Sequence, residues 1–490
     1  MRERSLASVF WVLAANVVRA GTFFAIPVLI AWITGPVELG LAQIAYGVYA
    51  IALTFVGLGT KSAVLQHPDA NATYLSSVFY VNVLSGMATG AAVALAAPWL
   101  AAIGHSDPRL ILAFRWMGLV CVVSSLTLVQ SALLARRLAF RALSMAELAG
   151  LAAAVLAGLA VAAAGGRFSA LAAAAAAHVV VSSAAVWVAG RWRPLLRFSA
   201  SEARQALRFG VTATAASFVN SLAGQFERFL LSSLFGPAAL GFYGAARNVN
   251  RDALRNLMRV SDEILLPGLA SLGGQKHRAR GYYLQALRFE FLTFAPAAVF
   301  IAVFARDLVL LVYGPSWLPA APLVQLLTPL VLFTITNHTI GAVFLSAGRP
   351  DVQLRWSLLS IPLVGIYVAA GAKWGLSGAV ASLSALEVVG WSISHAMANK
   401  LIGLPFRQFA RTFVTPLAVI AAFGAVLAGA RHAAAPVSPS WPVLAAWGLA
   451  ALALYAAVLH AADRRLSREY WGALVDGLRS RSAAAREPRS

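Results

Sequence analysis

Long apolar stretches follow one another along almost the whole chain, and short gaps between them carry most of the polar and charged residues. A helix needs about 20 apolar residues to cross the hydrocarbon core of a bilayer. The pattern therefore predicts an all-α polytopic membrane protein with about fourteen transmembrane helices. The predicted spans lie near residues 6–33, 38–59, 74–98, 110–133, 143–164, 169–190, 208–235, 239–270, 286–313, 319–346, 354–372, 376–399, 410–429 and 442–462.

Basic residues are concentrated in every second gap, which predicts the orientation of the chain. Cytoplasmic loops of membrane proteins collect Lys and Arg. With the first residues inside the cell, each predicted cytoplasmic gap contains at least one basic residue. The gaps on the opposite side contain only four basic residues, which are Arg109, Arg167, Lys373 and Arg431. Both termini are therefore predicted to be cytoplasmic, in an inner membrane. The first stretch continues past Arg19 without a small-residue cleavage site, so it predicts a span rather than a signal peptide.

Composition and gap length exclude several classes of function. Hydrophobic residues make up 60% of the chain and charged residues 12%, and the formal net charge is +21. In a soluble protein this charge would suggest nucleic acid, but here the orientation rule accounts for it. No gap exceeds about 20 residues, which leaves no room for a catalytic or nucleotide-binding domain outside the membrane. Cys121 is the only cysteine, and no metal or phosphate-loop motif occurs, so neither an enzyme nor a cofactor is expected.

A short repeat indicates an internal duplication. Residues 35–40 read Gly-Pro-Val-Glu-Leu-Gly, and residues 236–241 read Gly-Pro-Ala-Ala-Leu-Gly. Both copies fall between two long helices, where a tight turn requires Gly and Pro. Six predicted spans separate the copies, so the two halves have the same orientation. We therefore expect two lobes that face a central cavity, as in many secondary transporters. The predicted divisions are a six-helix lobe (1–190), a basic linker (191–207), a second six-helix lobe (208–400), two extra spans (401–463) and a basic tail (464–490).

The eighth predicted span contains arginines at four-residue spacing. Arg247, Arg251, Arg255 and Arg259 form one slowly drifting stripe if the helix is regular. Ionisable groups at this depth face a cavity or one another. A guanidinium group donates two parallel hydrogen bonds to an oxyanion, so the stripe is suited to phosphate.

The acidic residues of the same span leave a structural alternative open. Asp252, Asp262 and Glu263 lie within pairing distance of some of these arginines along the helix. An internal ion-pair network would then occupy the stripe. Arg247 and Arg251 have the fewest acidic neighbours, so they are the preferred anion contacts.

Five further ionisable residues inside predicted spans are candidate site residues. Arg19 is a candidate to face the same cavity, or to pair with an acid such as Glu387. Glu227 and Arg228 are adjacent and point about 100° apart on a helix, so they cannot simply pair with each other. Glu290 and Glu387 are candidate proton or cation sites. Arg19 thus joins Arg247, Arg251 and Arg255 as a predicted substrate contact, and the other four residues form the predicted set of coupling or ion-pairing groups.

Several motifs resemble those of one family of membrane proteins. Residues 226–246 contain an acid and a base, an apolar run, Leu-Phe-Gly-Pro and then Leu-Gly-Phe-Tyr-Gly-Ala-Ala. This order resembles the central signature of bacterial polysaccharide flippases. Residues 135–140, 265–270 and 312–317 are similar to other segments of that family. Glu227 departs from the pattern, because the family commonly has Asp there, and the eighth span is more charged than is usual.

The resemblance implies a lipopolysaccharide or exopolysaccharide exporter of the multidrug/oligosaccharidyl-lipid/polysaccharide exporter superfamily. Such proteins move undecaprenyl-diphosphate-linked sugars from the cytoplasmic to the periplasmic leaflet. The implied partners are the lipid-linked oligosaccharide, membrane lipids and the polymerase and chain-length machinery, with no nucleic acid. The alternatives are a multidrug exporter of the same superfamily, a membrane polysaccharide polymerase or ligase, and a non-transporting scaffold.

Overall fold

The computed structural model is helical throughout the part of the chain that it describes. The described residues are 28, 31–32, 34–67, 70–105, 107–252, 254, 276–346, 350–434 and 438–472. Within these ranges there is no β-strand. This architecture confirms the predicted all-α fold class, and the properties of the lipid bilayer explain it. A bilayer provides no hydrogen-bond partners for the backbone, so a spanning segment must satisfy its own amide groups in a helix.

The α-helices follow the predicted spans closely. In chain order they are α1 (Pro36–Gly57), α2 (Thr60–Gln66), α3 (Ala72–Leu100), α4 (Pro108–Ser125), α5 (Leu128–Arg136), α6 (Phe140–Ala163), α7 (Arg167–Gly190), α8 (Ala200–Arg247), α9 (Lys276–Val303), α10 (Ala305–Tyr313), α11 (Ala321–Ser346), α12 (Pro350–Gly371), α13 (Gly375–Ile402), α14 (Phe406–Ala433) and α15 (Trp441–Ala462). Residues 464–472 are also helical.

Eleven segments of the described chain are long and apolar enough to span a membrane. Two of them, Ser217–Asn250 and Leu358–Ile402, each overlap two predicted spans. The first predicted span lies mostly outside the described residues. The polytopic membrane class is therefore confirmed, and the number of fourteen spans stays a prediction.

Two predicted spans are interrupted. The span predicted over 286–313 is divided at Phe304 between α9 and α10. The other is interrupted where hydroxyl groups compete for the helix backbone. The sequence pattern predicted a single helix over 110–133, but α4 ends at Ser125 and α5 begins at Leu128. The hydroxyl of Ser125 donates to the carbonyl of Val122, and that of Thr127 donates to the carbonyl of Ser124. Side chains that bond to carbonyls of the preceding turn weaken and bend a helix. Apolarity along the sequence does not report this competition.

The chain divides into two compact units. The first contains residues Met1–Ala245 and Leu354–Ser382, and the second contains Ala246–Gln353 and Leu383–Ser490. In the first unit, Val64, Val78 and Val129 lie in a buried apolar cluster that joins α2, α3 and α5. In the second unit, the rings of Trp391 and Phe409 lie 5.6 Å apart and join α13 to α14. The division into two six-helix lobes stays a prediction.

The two copies of the Gly-Pro repeat adopt the same backbone conformation. Gly35 has φ 94° and ψ 176°, and Gly236 has φ 86° and ψ 171°. In each copy the proline begins the following helical segment, a position where its fixed φ and missing amide hydrogen are tolerated. Gly236 therefore divides α8 into two segments, 200–235 and 237–247. A residue with a Cβ atom rarely adopts this positive φ, so the turn requires glycine.

Replacement of Gly236 by alanine tests this requirement. The space around Gly236 is open, because its nearest neighbour is His105 Nε2 at 4.0 Å from an added Cβ. Gly236→Ala should therefore destabilise the protein by about 1–2 kcal/mol through backbone conformation alone. The measurement is thermal unfolding of the detergent-solubilised protein. Gly224→Ala is the matched control in the same helix, with nothing within 4 Å, and it should stabilise by about 0.5–1 kcal/mol. Equal shifts in both variants would contradict the argument.

Candidate functional site

The turn at Gly236 brings the predicted acid Glu227 to a tyrosine of the same helix. The hydroxyl of Tyr243 donates to Glu227 Oε1 at 2.8 Å. Tyr243 is almost completely buried, with 1% of its surface exposed. The two residues are far apart along α8, and they meet because the chain turns back between them. A hydrogen bond to the charged form of a carboxylate offsets part of the cost of placing it in the membrane.

The neighbouring base has a different polar contact. Arg228 Nη1 donates to Gln225 Oε1 at 3.1 Å, one turn earlier on α8. Gln225 in turn lies against α1, because its Oε1 is 3.1 Å from the position of a Cβ atom on Gly47. The absence of a side chain at Gly47 thus lets this polar pair approach α1 closely.

The predicted anion contacts lie where the regular helix ends. Arg247, the last residue of α8, is buried with 6% of its surface exposed. A π-helical turn follows at Asn248–Asp252 and contains the backbone of Arg251. A π turn widens the helix and is frequent at functional sites. It also changes the angle between positions 247 and 251, so the four-residue spacing of a regular helix does not apply across it.

Two asparagines tie the π turn to neighbouring helices of the second unit. Asn248 Nδ2 donates to the hydroxyl of Tyr313 at 2.9 Å. Asn250, which is fully buried, donates from Nδ2 to the carbonyl of Val324 at 2.9 Å and contacts Thr328 Oγ1 at 3.0 Å. Sequence reasoning missed both residues. The sequence did contain a signal for them, because two asparagines lie next to the arginines in a predicted span. A buried amide group needs hydrogen-bond partners.

The two other predicted carboxylates lie in the second unit. Glu290 on α9 is buried with 4% of its surface exposed. Glu387 on α13 accepts a hydrogen bond at Oε1 from Asn337 Nδ2 at 2.8 Å, and Thr334 Oγ1 lies 3.2 Å from the same oxygen. Both partners are on α11, so a carboxylate inside a span is held by two neutral polar side chains from another helix. Sequence analysis did not predict these partners, since they are 50 and 53 residues away.

Other predicted site residues lie beyond what the structure describes. Arg19 and Arg255 fall outside the described residues, as does Arg259. The arginine stripe and a contact between Arg19 and the cavity therefore stay predictions. In the described part of the chain, no group of three or more His, Cys, Asp or Glu residues is arranged to hold a metal ion.

A polar cluster lies at the predicted periplasmic end of the first unit. Arg109 Nη2 contacts Asp107 Oδ2 at 2.7 Å, and Arg109 Nη1 lies 3.5 Å from Glu38 Oε1 on α1. The hydrogen bonds from Arg109 hold the pKa of Asp107 below its usual value. Nearby, His105 Nε2 lies 3.1 Å from the carbonyl oxygen of Ser232 on α8, and a carbonyl only accepts, so this nitrogen carries the hydrogen.

Sequence comparisons place the chain among polysaccharide biosynthesis proteins. The family model described as "Polysaccharide biosynthesis protein" matches residues 28–322. The lipopolysaccharide biosynthesis protein WzxC of Escherichia coli (strain K12) is 25% identical over 447 residues, which cover 88% of this chain and 89% of that protein. The teichuronic acid biosynthesis protein TuaB of Bacillus subtilis (strain 168) is 22% identical over 378 residues, which cover 76% and 77% of the two chains.

Solved structures with the same fold include transporters of two kinds. The lipid II flippase MurJ in an inward closed conformation has a TM-score of 0.69 and 12% identity, over 93% of this chain and 99% of that one. An inward-facing multidrug resistance transporter of the MATE family, from the MOP superfamily, has a TM-score of 0.63 and 15% identity, over 78% and 94%. At these identities the likeness establishes the fold.

The Tyr243–Glu227 hydrogen bond predicts a measurable coupling. Tyr243→Phe and Glu227→Ala should show a coupling energy of about 0.5–2 kcal/mol in a double-mutant cycle, because each variant removes one partner of the same bond. The free energies of unfolding would be measured in detergent. Tyr243→Phe combined with Ser124→Ala is the control, since the hydroxyl of Ser124 pairs with Tyr49 instead. Additivity in the first cycle would show that the bond does not contribute to stability.

Proposed function

Because the chain belongs to the polysaccharide biosynthesis protein family, we propose that it flips a lipid-linked oligosaccharide across the bacterial inner membrane for polysaccharide export. The observation that carries the proposal is the family match over residues 28–322 of a chain with the fold of a lipid flippase. The family and the fold describe a transporter of the multidrug/oligosaccharidyl-lipid/polysaccharide exporter superfamily, not an enzyme. Transport of a lipid-linked sugar is consistent with both likenesses.

The proposed substrate is an undecaprenyl-diphosphate-linked oligosaccharide, moved from the cytoplasmic to the periplasmic leaflet. Its diphosphate requires cationic partners in a medium of low dielectric constant. Arg247 is a buried guanidinium beside a π turn, with Arg251 next along it. Guanidinium groups bind phosphate oxygens through paired hydrogen bonds. In this proposal Arg247, Arg251, Arg255 and Arg19 bind the diphosphate in a cationic cavity, and the polyprenyl chain stays in lipid.

The proposed mechanism is alternating access, in which the cavity opens first to one side of the membrane and then to the other. Directional transport requires a driving force. The gaps between the predicted spans leave no room for a nucleotide-binding domain, so the proposed driving force is an ion gradient. Glu387 is the proposed coupling group, with Glu227, Arg228 and Glu290 as further ion-pairing or coupling positions. A carboxylate in a span is neutralised when it binds a proton or a monovalent cation. Asn337 Nδ2 and Thr334 Oγ1 donate hydrogen bonds to Glu387 and hold its side chain in place.

The proposed orientation of the chain and its proposed partners follow from the direction of transport. Both termini are cytoplasmic in this topology, and the polysaccharide polymerase and chain-length machinery receive the product on the periplasmic side.

The likeness to a multidrug transporter of the MATE family supports a second candidate function, export of organic cations. Buried arginine disfavours it, since a cationic drug is repelled by a guanidinium group.

Substitution of the arginines tests the substrate. In proteoliposomes, Arg247→Ala and Arg251→Ala should each slow translocation of lipid-linked oligosaccharide by about tenfold to a hundredfold, the effect of losing one or two charged hydrogen bonds. Arg247→Lys keeps the charge but loses the paired geometry and should fall between wild type and alanine. Arg306→Ala, at an exposed position near the end of the span, is the control.

The outcomes separate the candidate functions. Unchanged rates in both alanine variants would keep the flippase and assign these arginines a structural role. Failure of the wild-type protein to move an authentic substrate, combined with export of organic cations, would replace the flippase by a multidrug exporter. Failure with both substrates would favour a scaffold.

Substitution of Glu387 tests the coupling. Glu387→Gln removes the charge but keeps the size, so the acceleration of transport by a proton or sodium gradient should disappear while the rate without a gradient persists. Glu469→Gln, which changes a half-exposed glutamate near the C-terminus, is the control and should retain the full acceleration. If Glu387→Gln still responds to both gradients, the coupling group lies elsewhere.

A further inference from the structure

The two copies of the Gly-Pro repeat contact each other through their backbones. A Cβ atom on Gly40 of α1 would overlap the carbonyl oxygen of Pro237 on α8. Reciprocally, a Cβ atom on Gly241 of α8 would overlap the carbonyl oxygen of Pro36 on α1. Equivalent residues of the two copies thus exchange the same contact. We name this pair of contacts the outer glycine contact, because it lies at the predicted periplasmic end of α1.

A second backbone contact joins α8 to the opposite end of α1. A Cβ atom on Gly210, near the start of α8, would overlap the carbonyl oxygen of Leu58. A Cβ atom on Gly59 would lie 2.5 Å from the carbonyl oxygen of Gly210. We name this pair the inner glycine contact, because it lies at the predicted cytoplasmic end. All of its residues belong to the first compact unit, as do those of the outer glycine contact.

The two contacts are separated by the thickness of a membrane. From Gly40 to Gly59 there are 19 steps, which correspond to about 28 Å at the rise of an α-helix. The hydrocarbon core of a bilayer measures about 30 Å. Between the contacts α1 approaches side chains of α8 instead, since a Cβ atom on Gly47 would lie 2.8 Å from the ring of Phe229. Among the glycines of residues 40–59, Gly40 and Gly59 therefore face the backbone of α8, whereas Gly47 faces its side chains.

We propose that the outer and inner glycine contacts are the two gates of the transport cycle, and this rests on the proposed transport function. Both contacts are closed in this structure. A substrate that enters from one side and leaves on the other requires each end to open in turn. The outer glycine contact parts for release on the periplasmic side, and the inner glycine contact parts for entry from the cytoplasmic side.

Glycine is suited to a contact that must both seal and separate. Small residues let helix backbones approach closely in a membrane, where lipid provides no hydrophobic drive for helix association. Such contacts depend on dispersion and weak Cα–H hydrogen bonds to carbonyls, so no interdigitated side chains have to disengage. At the outer end, the hydrogen bond from His105 to the carbonyl of Ser232 provides an additional polar tie to α8.

Site-directed labelling tests the proposal without a known substrate. In a Cys121→Ser background, Gln43→Cys reports on the outer glycine contact, because the Gln43 amide touches Gly244 just inside it. Thr214→Cys, a buried position one turn from Gly210, reports on the inner contact. Labelling uses a membrane-impermeant maleimide, applied to intact cells for the outer reporter and to inverted membrane vesicles for the inner one.

A bulky residue at one contact should hold that end open. Gly241→Leu should raise the labelling rate of Cys at position 43 by about tenfold or more, because the rate follows the open population. Gly210→Leu should do the same for Cys at position 214, and each variant should leave the opposite reporter unchanged or slower. Gly224→Leu is the matched control, since nothing lies within 4 Å of that glycine in the same helix.

Other outcomes overturn the proposal. Unchanged labelling in both gate variants, or an equal rise at both reporters in every variant including Gly224→Leu, would show packing contacts that do not gate. If the leucine variants are not recovered in folded form, Gly241→Ala and Gly210→Ala provide the same comparison, because one methyl group already overlaps the facing carbonyl. End-specific labelling without transport of lipid-linked oligosaccharide would retain the gates and reject the proposed substrate.

Discussion

The close approach of α1 and α8 is the constraint on which the first unit depends. Lipid is as apolar as leucine, so apolar surface alone does not hold two spanning helices together, and contact distance becomes decisive. Gly40 and Gly241 permit carbonyl groups to reach the facing backbone, and Gly47 permits Gln225 and Phe229 to approach between the two ends. A side chain at any of these positions would move the helices apart, and with them the polar groups that α8 positions beside α1.

Two carboxylates of the spans accept hydrogen bonds from neutral polar side chains that are distant along the chain. Glu227 accepts from Tyr243 across a turn, and Glu387 accepts from Asn337 on another helix. These bonds lower the cost of a charge at membrane depth but do not cancel the charge, as a salt bridge would. In the proposed mechanism, Glu387 is the coupling group, and Asn337 and Thr334 hold its side chain in place.

Much of the fold was predictable because one physical rule controls it. A spanning segment must be apolar and helical, so α1, α3, α6, α7, α14 and α15 coincide with predicted spans within a few residues. The interruption at residues 126–127 was not predicted, since it depends on serine and threonine hydroxyls that bond to their own helix. The π turn at Asn248–Asp252 was also missed, because its asparagines donate hydrogen bonds to α11 and to the end of α10. In both places side-chain hydrogen bonds, local at residues 126–127 and long-range at the π turn, outweigh hydropathy.

The sequence by itself determined that this is a helical membrane protein with a duplicated Gly-Pro motif and buried charges, and it indicated the family through the residues around Glu227. These properties depend on composition and on spacing along one chain. An apolar segment of sufficient length must form a helix in a bilayer, because its backbone has no other hydrogen-bond partners. Only the tertiary structure decided that the two repeat copies touch, that Tyr243 holds Glu227 and that Asn337 holds Glu387. Such contacts depend on the rotation and separation of neighbouring helices, which result from side-chain packing and leave no periodic signal in the sequence.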